Sequence, residues 1–79
     1  MNGLDYQRLA YLGDRMRSTT ATKAEKDEYM LLLFRNQSIT EVQYKDYVAG
    51  RNSEEILNAA LAVGAVVLIG FLLEKLFSR

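Results

Sequence analysis

The chain has 79 residues, so it can form one small domain with a modest hydrophobic core. It contains no His, Cys or Trp, which excludes imidazole and thiolate catalysis, disulfide bonds and zinc sites built from Cys and His. Ten basic residues balance ten acidic ones, so no net charge attracts nucleic acid. We therefore expect a protein that is not an enzyme, with no catalytic residues, no cofactor, no metal site and no nucleic-acid partner.

The first helix is predicted over residues 4–17, where apolar residues recur at helical spacing. Leu9, Leu12 and Met16 share one face of this helix. Gly13 weakens it by about 1 kcal/mol relative to Ala. A polar connector, residues 18–20, follows the helix and ends it.

Two capping boxes predict the second and third helices. Thr22 precedes Glu25, and Thr40 precedes Gln43, in each case by the three positions that let side chain and backbone cap each other. Ile39 and Tyr44 are spaced as a hydrophobic staple, and Gly50 favours the left-handed turn that closes a helix. A weaker box at residues 52–55 predicts the start of the last helix, with residues 50–53 as a hinge.

The stretch from Lys26 to Val48 resembles the SHOCT-type helical hairpin. The resemblance rests on a leucine-rich helix, a short polar turn, the phrase Ile39, Thr40, Glu41, and the aromatic Tyr44. It differs from the family pattern in lacking a Gly before the Ile, in ending at Val48 rather than at a leucine pair, and in preceding an apolar segment. The resemblance implies a small interaction or oligomerisation module in a membrane-associated bacterial or phage protein.

Residues 56–73 contain no charged side chain, which predicts a membrane-spanning helix. At 1.5 Å per residue the segment covers about 27 Å, slightly less than the hydrocarbon core of a bilayer. The alternative is the buried helix of a soluble domain, for which the preceding 55 residues offer too little apolar cover. The residues predicted to line the span are Ile56, Leu57, Leu61, Val63, Val66, Val67, Leu68, Ile69, Phe71, Leu72 and Leu73.

The orientation of the span is predicted from its flanks. Lys45 and Arg51 precede it while Lys75 and Arg79 follow it, so the nearby positive charge is almost even. The first twenty residues contain no apolar run of the kind found in a signal peptide. We therefore expect a single-pass, tail-anchored protein with a head (residues 1–52) in the cytoplasm or a virion, and an anchor with a charged tail (residues 53–79).

Small and polar residues within the span permit close approach of a second helix. Ala60 and Gly64 form a small-xxx-small pair, and Asn58 lies on the opposite face with Ala62 and Ala65. These five residues are the predicted helix–helix contacts in the membrane. Their alternative explanation is that Ala and Gly are common in membrane spans.

The head is predicted to bind other proteins or further copies of the chain, since three short helices bury little by themselves. Neighbouring carboxylates on one helix point in different directions, so they do not form a metal or acid–base pair alone. The predicted interaction face comprises Tyr29, Leu32, Leu33, Ile39, Tyr44, Tyr47 and Val48.

These features predict an all-α protein that anchors or scaffolds an assembly at a lipid bilayer, with a minor phage membrane or virion protein as one setting. Two alternatives stay open. One is a holin-like or toxin-like pore, which a single span with few polar residues disfavours. The other is a helical filamentous-virion coat protein, although the C-terminal tail lacks the basic run that packaged DNA requires.

Overall fold

The computed structural model describes the backbone of residues 3–77 and the side chains of residues 5–77. Within this range the chain forms four helices and no strand: α1 (Gly3–Arg17), α2 (Lys23–Arg35), α3 (Glu41–Val48) and α4 (Ser53–Phe77). The prediction of an all-α fold, with three short helices followed by one long apolar helix, is confirmed. Arg79 of the predicted charged tail lies outside the described residues.

The amino-terminal ends of α2 and α3 are fixed by the two predicted capping boxes. The Thr22 hydroxyl accepts a hydrogen bond from the Glu25 amide at 3.1 Å, and the Glu25 carboxylate accepts one from the Thr22 amide at 2.9 Å. Thr40 and Gln43 repeat this exchange at 3.0 and 2.8 Å. Asn52, before α4, differs because its φ of 50° lies in the left-handed region rather than the extended region of the other two caps.

The carboxyl-terminal ends of α1, α2 and α3 share one turn, the Schellman motif. After α3, the amide of Gly50 donates to the carbonyl of Tyr47 and the amide of Arg51 donates to that of Asp46. The same pair of bonds closes α1 and α2. The left-handed residue is Gly50 after α3 but Thr19 after α1 and Gln37 after α2, with φ of 78°, 58° and 59°. Two of the three turns therefore carry a side chain in a conformation that favours glycine.

Ion pairs join α1 to α2. The Arg8 guanidinium forms two hydrogen bonds with the Glu28 carboxylate, at 2.6 and 2.8 Å. Arg15 donates to both oxygens of Glu25, at 3.0 and 3.1 Å, so this carboxylate caps α2 and binds α1 at the same time. The pKa of Glu25 is lowered by the hydrogen bond from the Thr22 amide and then by Arg15.

Two contacts join α2 to α3. The Tyr47 hydroxyl donates to the Asp27 carboxylate at 2.6 Å. The rings of Phe34 and Tyr44 stack with centroids 4.5 Å apart and planes within 4° of parallel. The predicted helical hairpin therefore forms, with the pair of α2 and α3 held by one polar and one aromatic contact.

The hydrophobic core lies where α1, α2 and α4 meet. Its buried residues are Leu9, Leu12, Tyr29, Met30, Leu32, Leu33, Ile39 and Ala60. Helix α4 contacts all three helices of the head and, at 25 residues, measures about 37 Å. It therefore accounts for most of the 43 Å long axis of the molecule.

Candidate membrane-interacting helix

Helix α4 is long and apolar enough to cross a membrane, and in the described part of the chain it is the one helix of this kind. Only 11% of its most apolar 18-residue window is buried within the protein. The buried positions are Ala60 and Gly64. A core helix of a soluble domain is mostly buried, so the head covers α4 on one side and leaves the other side uncovered.

The uncovered side of α4 is a continuous apolar surface, here called the outer stripe. Val66 is 69% exposed, Ile69 57% and Leu76 62%, values that leave most of each side chain outside the protein. The positions recur three or four residues apart, so they follow one face of the helix. The outer stripe consists of Ala62, Val66, Ile69, Leu73 and Leu76, all exposed.

The covered side of α4 is built around Tyr29 of α2. This side chain is fully buried, and its hydroxyl donates to the backbone carbonyl of Leu61 at 3.4 Å. The ring and hydroxyl lie directly against Gly64, where any Cβ atom would overlap the Tyr29 oxygen. On the other side of the ring, a Cβ atom on Gly13 of α1 would lie 3.6 Å from Tyr29 Cε1. Two glycines on two helices thus leave the space that Tyr29 occupies.

A second aromatic contact joins the far end of α4 to α1. The rings of Tyr6 and Phe71 stack with centroids 3.9 Å apart, and the Lys75 ammonium lies 5.4 Å from the centre of the Phe71 ring. Near the other end of α4, Met16 lines a groove with Leu57. Helix α1 therefore runs antiparallel to α4 along most of its apolar length.

The residues predicted to line the span divide between the two sides of α4. Half-buried against the head are Ile56, Leu57, Leu61, Val63, Val67, Leu68 and Phe71. Exposed are Val66, Ile69, Leu72 and Leu73. The head thus contacts part of the predicted lipid-facing surface.

The residues predicted to contact a second membrane helix also divide. Ala60 and Gly64 are buried, with Gly64 against Tyr29, so this pair packs within the chain. Asn58 and Ala62 are exposed, and Ala65 is half-buried. In this arrangement only the Asn58 side of α4 is open to a second helix.

The predicted head interaction face lies mostly in the core. Tyr29, Leu32, Leu33 and Ile39 are buried, and Tyr44 and Tyr47 are half-buried. Val48 is 66% exposed. Among these seven residues, Val48 is therefore the one whose side chain is mainly available to another protein.

Sequence reasoning missed the Tyr29 contact. The signal that could have found it is the pair Gly13 and Gly64, each a glycine inside an apolar helical pattern, where close packing is a common reason for glycine. Burial raises the pKa of the Tyr29 hydroxyl. The hydroxyl therefore stays protonated and serves as a hydrogen-bond donor to the backbone of α4.

The chemistry available to the described residues is that of surfaces rather than of a reaction centre. No group of three or more Asp or Glu side chains in this part of the chain is arranged to hold a metal ion. Comparison of the chain with protein-family models, curated proteins and solved structures found no match. The outer stripe of α4 is the feature from which a function can be argued.

Proposed function

We propose that this chain is a non-enzymatic, single-pass membrane protein whose helical head makes protein contacts at a bilayer. The observation that carries the proposal is the combination of a 25-residue apolar helix with a head that buries only one side of it. An apolar stripe of this length exposed to water is unfavourable, and it marks a surface that another apolar phase covers. A bilayer is the phase that also accommodates the uncharged residues on the remaining sides.

The ends of α4 support a spanning role. Glu54 and Glu55 precede the uncharged segment, and Glu74 and Lys75 follow it. The full helix is longer than the hydrocarbon core, so these charges can reach the headgroup regions. Each centrally placed Leu, Ile, Phe or Val contributes about 0.3–0.6 kcal/mol towards insertion. The segment therefore has the length and composition of a spanning helix.

The proposed topology places the head in the cytoplasm or on the inner side of a virion. Eight of the ten Lys and Arg residues precede the apolar segment, and this bias supports the assignment. The head would bind another protein or a further copy of the chain through α3, where Val42 and Val48 are 67% and 66% exposed. The resemblance of residues 26–48 to an interaction hairpin is in keeping with this role.

Flotation of the full chain with phosphatidylcholine vesicles tests the proposal. Val66 on the outer stripe and Val48 on α3 have nearly equal exposure, 69% and 66%, so the same substitution can be compared at both. Lysine at the centre of a span costs about 2.5–3.5 kcal/mol. We expect Val66→Lys to remove most of the chain from the floating fraction and Val48→Lys to leave it bound.

Equal flotation of the two lysine variants would contradict the proposed role of α4. Release of an entrapped dye by the unmodified chain would instead support the pore-forming alternative. The same vesicles serve both measurements, so the anchor and the pore are distinguished on one preparation.

A further inference from the structure

We propose that the head masks the anchor: the arrangement in which α4 packs on the head and the arrangement in which α4 spans a bilayer exclude each other, and the contact between Tyr29 and Gly64 holds the masked form. The inference rests on the proposed function, because it concerns how the anchor becomes available to lipid. It begins from the length over which α1 and α4 lie together.

Helix α1 accompanies nearly the whole apolar segment of α4. Met16 lies near Leu57 at one end, and Tyr6 stacks on Phe71 at the other. If α4 crossed a bilayer in this arrangement, the part of α1 between those contacts would enter the hydrocarbon core. That part carries Arg8, Asp14 and Arg15.

The charges on α1 also bring partners from α2. Arg8 pairs with Glu28 and Arg15 with Glu25, and Arg8 and Glu28 have side chains 46% and 38% exposed. Exposed ion pairs lose their hydration when moved into hydrocarbon, and charged residues at that depth are strongly unfavourable. Spanning therefore requires that α1 and α2 separate from α4.

Tyr29 is the side chain that separation displaces most. It is fully buried, its hydroxyl bonds to the backbone of Leu61, and it occupies space that only glycine at position 64 leaves open. Substitution at either side of this contact removes the complementary fit. Tyr29→Ala acts from the head and leaves the anchor sequence unchanged, whereas Gly64→Leu acts from the anchor.

Gly70 provides the matched control for Gly64. Both are glycines within α4, but a Cβ atom on Gly70 would have no other atom within 4 Å. Gly70→Leu adds the same apolar side chain to the anchor without touching the head. A difference between the two leucine variants therefore reports the contact with Tyr29 and not the added hydrophobicity.

The experiment follows a single thiol at the end of α4. The chain has no Cys, and Leu76 is 62% exposed, so Leu76→Cys gives a unique label site in all variants. Full-length chain, cleared of aggregates, is mixed with phosphatidylcholine vesicles, and a membrane-impermeant maleimide is added at successive times. A thiol carried across the bilayer becomes protected, whereas one on a helix lying in the membrane surface stays reactive.

We expect Tyr29→Ala and Gly64→Leu each to gain protection at least about tenfold faster than the Leu76→Cys background, as expected for loss of a large buried side-chain contact. Gly70→Leu should match the background. The double variant Tyr29→Ala, Gly64→Leu should be no faster than the faster single variant, because both changes break one contact.

Equal rates of protection in all variants would overturn masking while leaving the membrane anchor intact. Vesicle binding in which the thiol of the Tyr29→Ala variant stays reactive would also overturn it, because the opened helix would then lie along the surface. Failure of the Leu76→Cys background to bind vesicles at all would overturn the proposed function itself.

Discussion

The head and α4 are stabilised by different kinds of interaction. In the head, capping boxes begin α2 and α3, Schellman turns end the three helices, and Arg8 and Arg15 pair with carboxylates of α2. These contacts are directional, so each fixes one geometry. Helix α4 has an apolar surface on all sides, and its main contacts with the head are two aromatic rings, Tyr29 and Tyr6.

This difference separates what is specified locally from what depends on the surroundings. A hydrogen-bonded cap has one partner, whereas an apolar helix gains similarly from a protein core or from lipid. The head can therefore keep its helical hairpin while α4 exchanges one apolar environment for another. The predictions below test each side of this comparison by substitution, measured as unfolding by guanidinium in a mild non-ionic detergent unless stated otherwise.

The largest effect is expected from Leu33, which is fully buried in the head. Leu33→Ala should lower the free energy of unfolding by about 2–5 kcal/mol, because it removes buried methyl groups and leaves a cavity. Val48→Ala is the control, since its side chain is 66% exposed, and its effect should stay within about 0.5 kcal/mol. A small loss for Leu33→Ala would show that the head has no cooperative core of its own.

The next effect compares the two glycines of α4. Gly64→Ala should destabilise the packed chain by about 1–3 kcal/mol, because its methyl group overlaps the Tyr29 hydroxyl. Gly70→Ala should stabilise it by up to about 1 kcal/mol, since alanine is the better helix former and the position is open. Unfolding followed by circular dichroism should therefore shift in opposite directions. A shift in the same direction would mean that α4 does not pack on Tyr29.

The helix ends of the head were predictable because their signals are local. Thr22 with Glu25, Thr40 with Gln43, and Gly50 each act within a few residues, and the structure confirms all three. The weaker signal at residues 52–55 was less informative, since Asn52 adopts a left-handed φ rather than an extended one.

The packing of α4 on the head was not predictable from the same kind of signal. Tyr29 meets Gly13 and Gly64, residues far from it along the chain, and the pairing depends on how the helices cross. The apolar pattern of α4 predicts burial without indicating whether protein or lipid provides it. Sequence therefore gave Ala60 and Gly64 the correct role of a close-contact surface but not the partner found here.

A smaller effect is expected where the Schellman turns lack glycine. Thr19 has a φ of 58°, and a β-branched residue is rarely found in that region. Thr19→Gly should raise the free energy of unfolding by up to about 1 kcal/mol, the relief of left-handed strain being partly offset by the greater freedom of glycine in the unfolded chain. Gly50→Ala, at a φ of 78°, should have the opposite sign. Destabilisation by Thr19→Gly would show that the side chain of Thr19 contributes more than its backbone costs.

The smallest expected effect is a change in acid sensitivity. The hydrogen bond from Tyr47 is the main cause that lowers the pKa of Asp27 below its ordinary value of 3.8, and Lys23 adds to it. A carboxylate with a lowered pKa in the folded chain stabilises it above the unfolded pKa, and that stabilisation is lost as the pH falls through the folded pKa. Stability should therefore decline below about pH 4.

Tyr47→Phe should make this decline shallower, because the packing of the ring remains while the hydrogen bond to Asp27 is lost. Tyr11→Phe is the control: its ring is 47% exposed and lies 5.1 Å from the Arg8 guanidinium, a contact that phenylalanine retains. Unfolding measured at a series of pH values from neutral to acidic gives the slope for each chain. Identical slopes for the original chain and Tyr47→Phe would mean that the bond between α2 and α3 contributes nothing to acid stability, and would leave their stacked rings, Phe34 and Tyr44, as the contact that holds the hairpin.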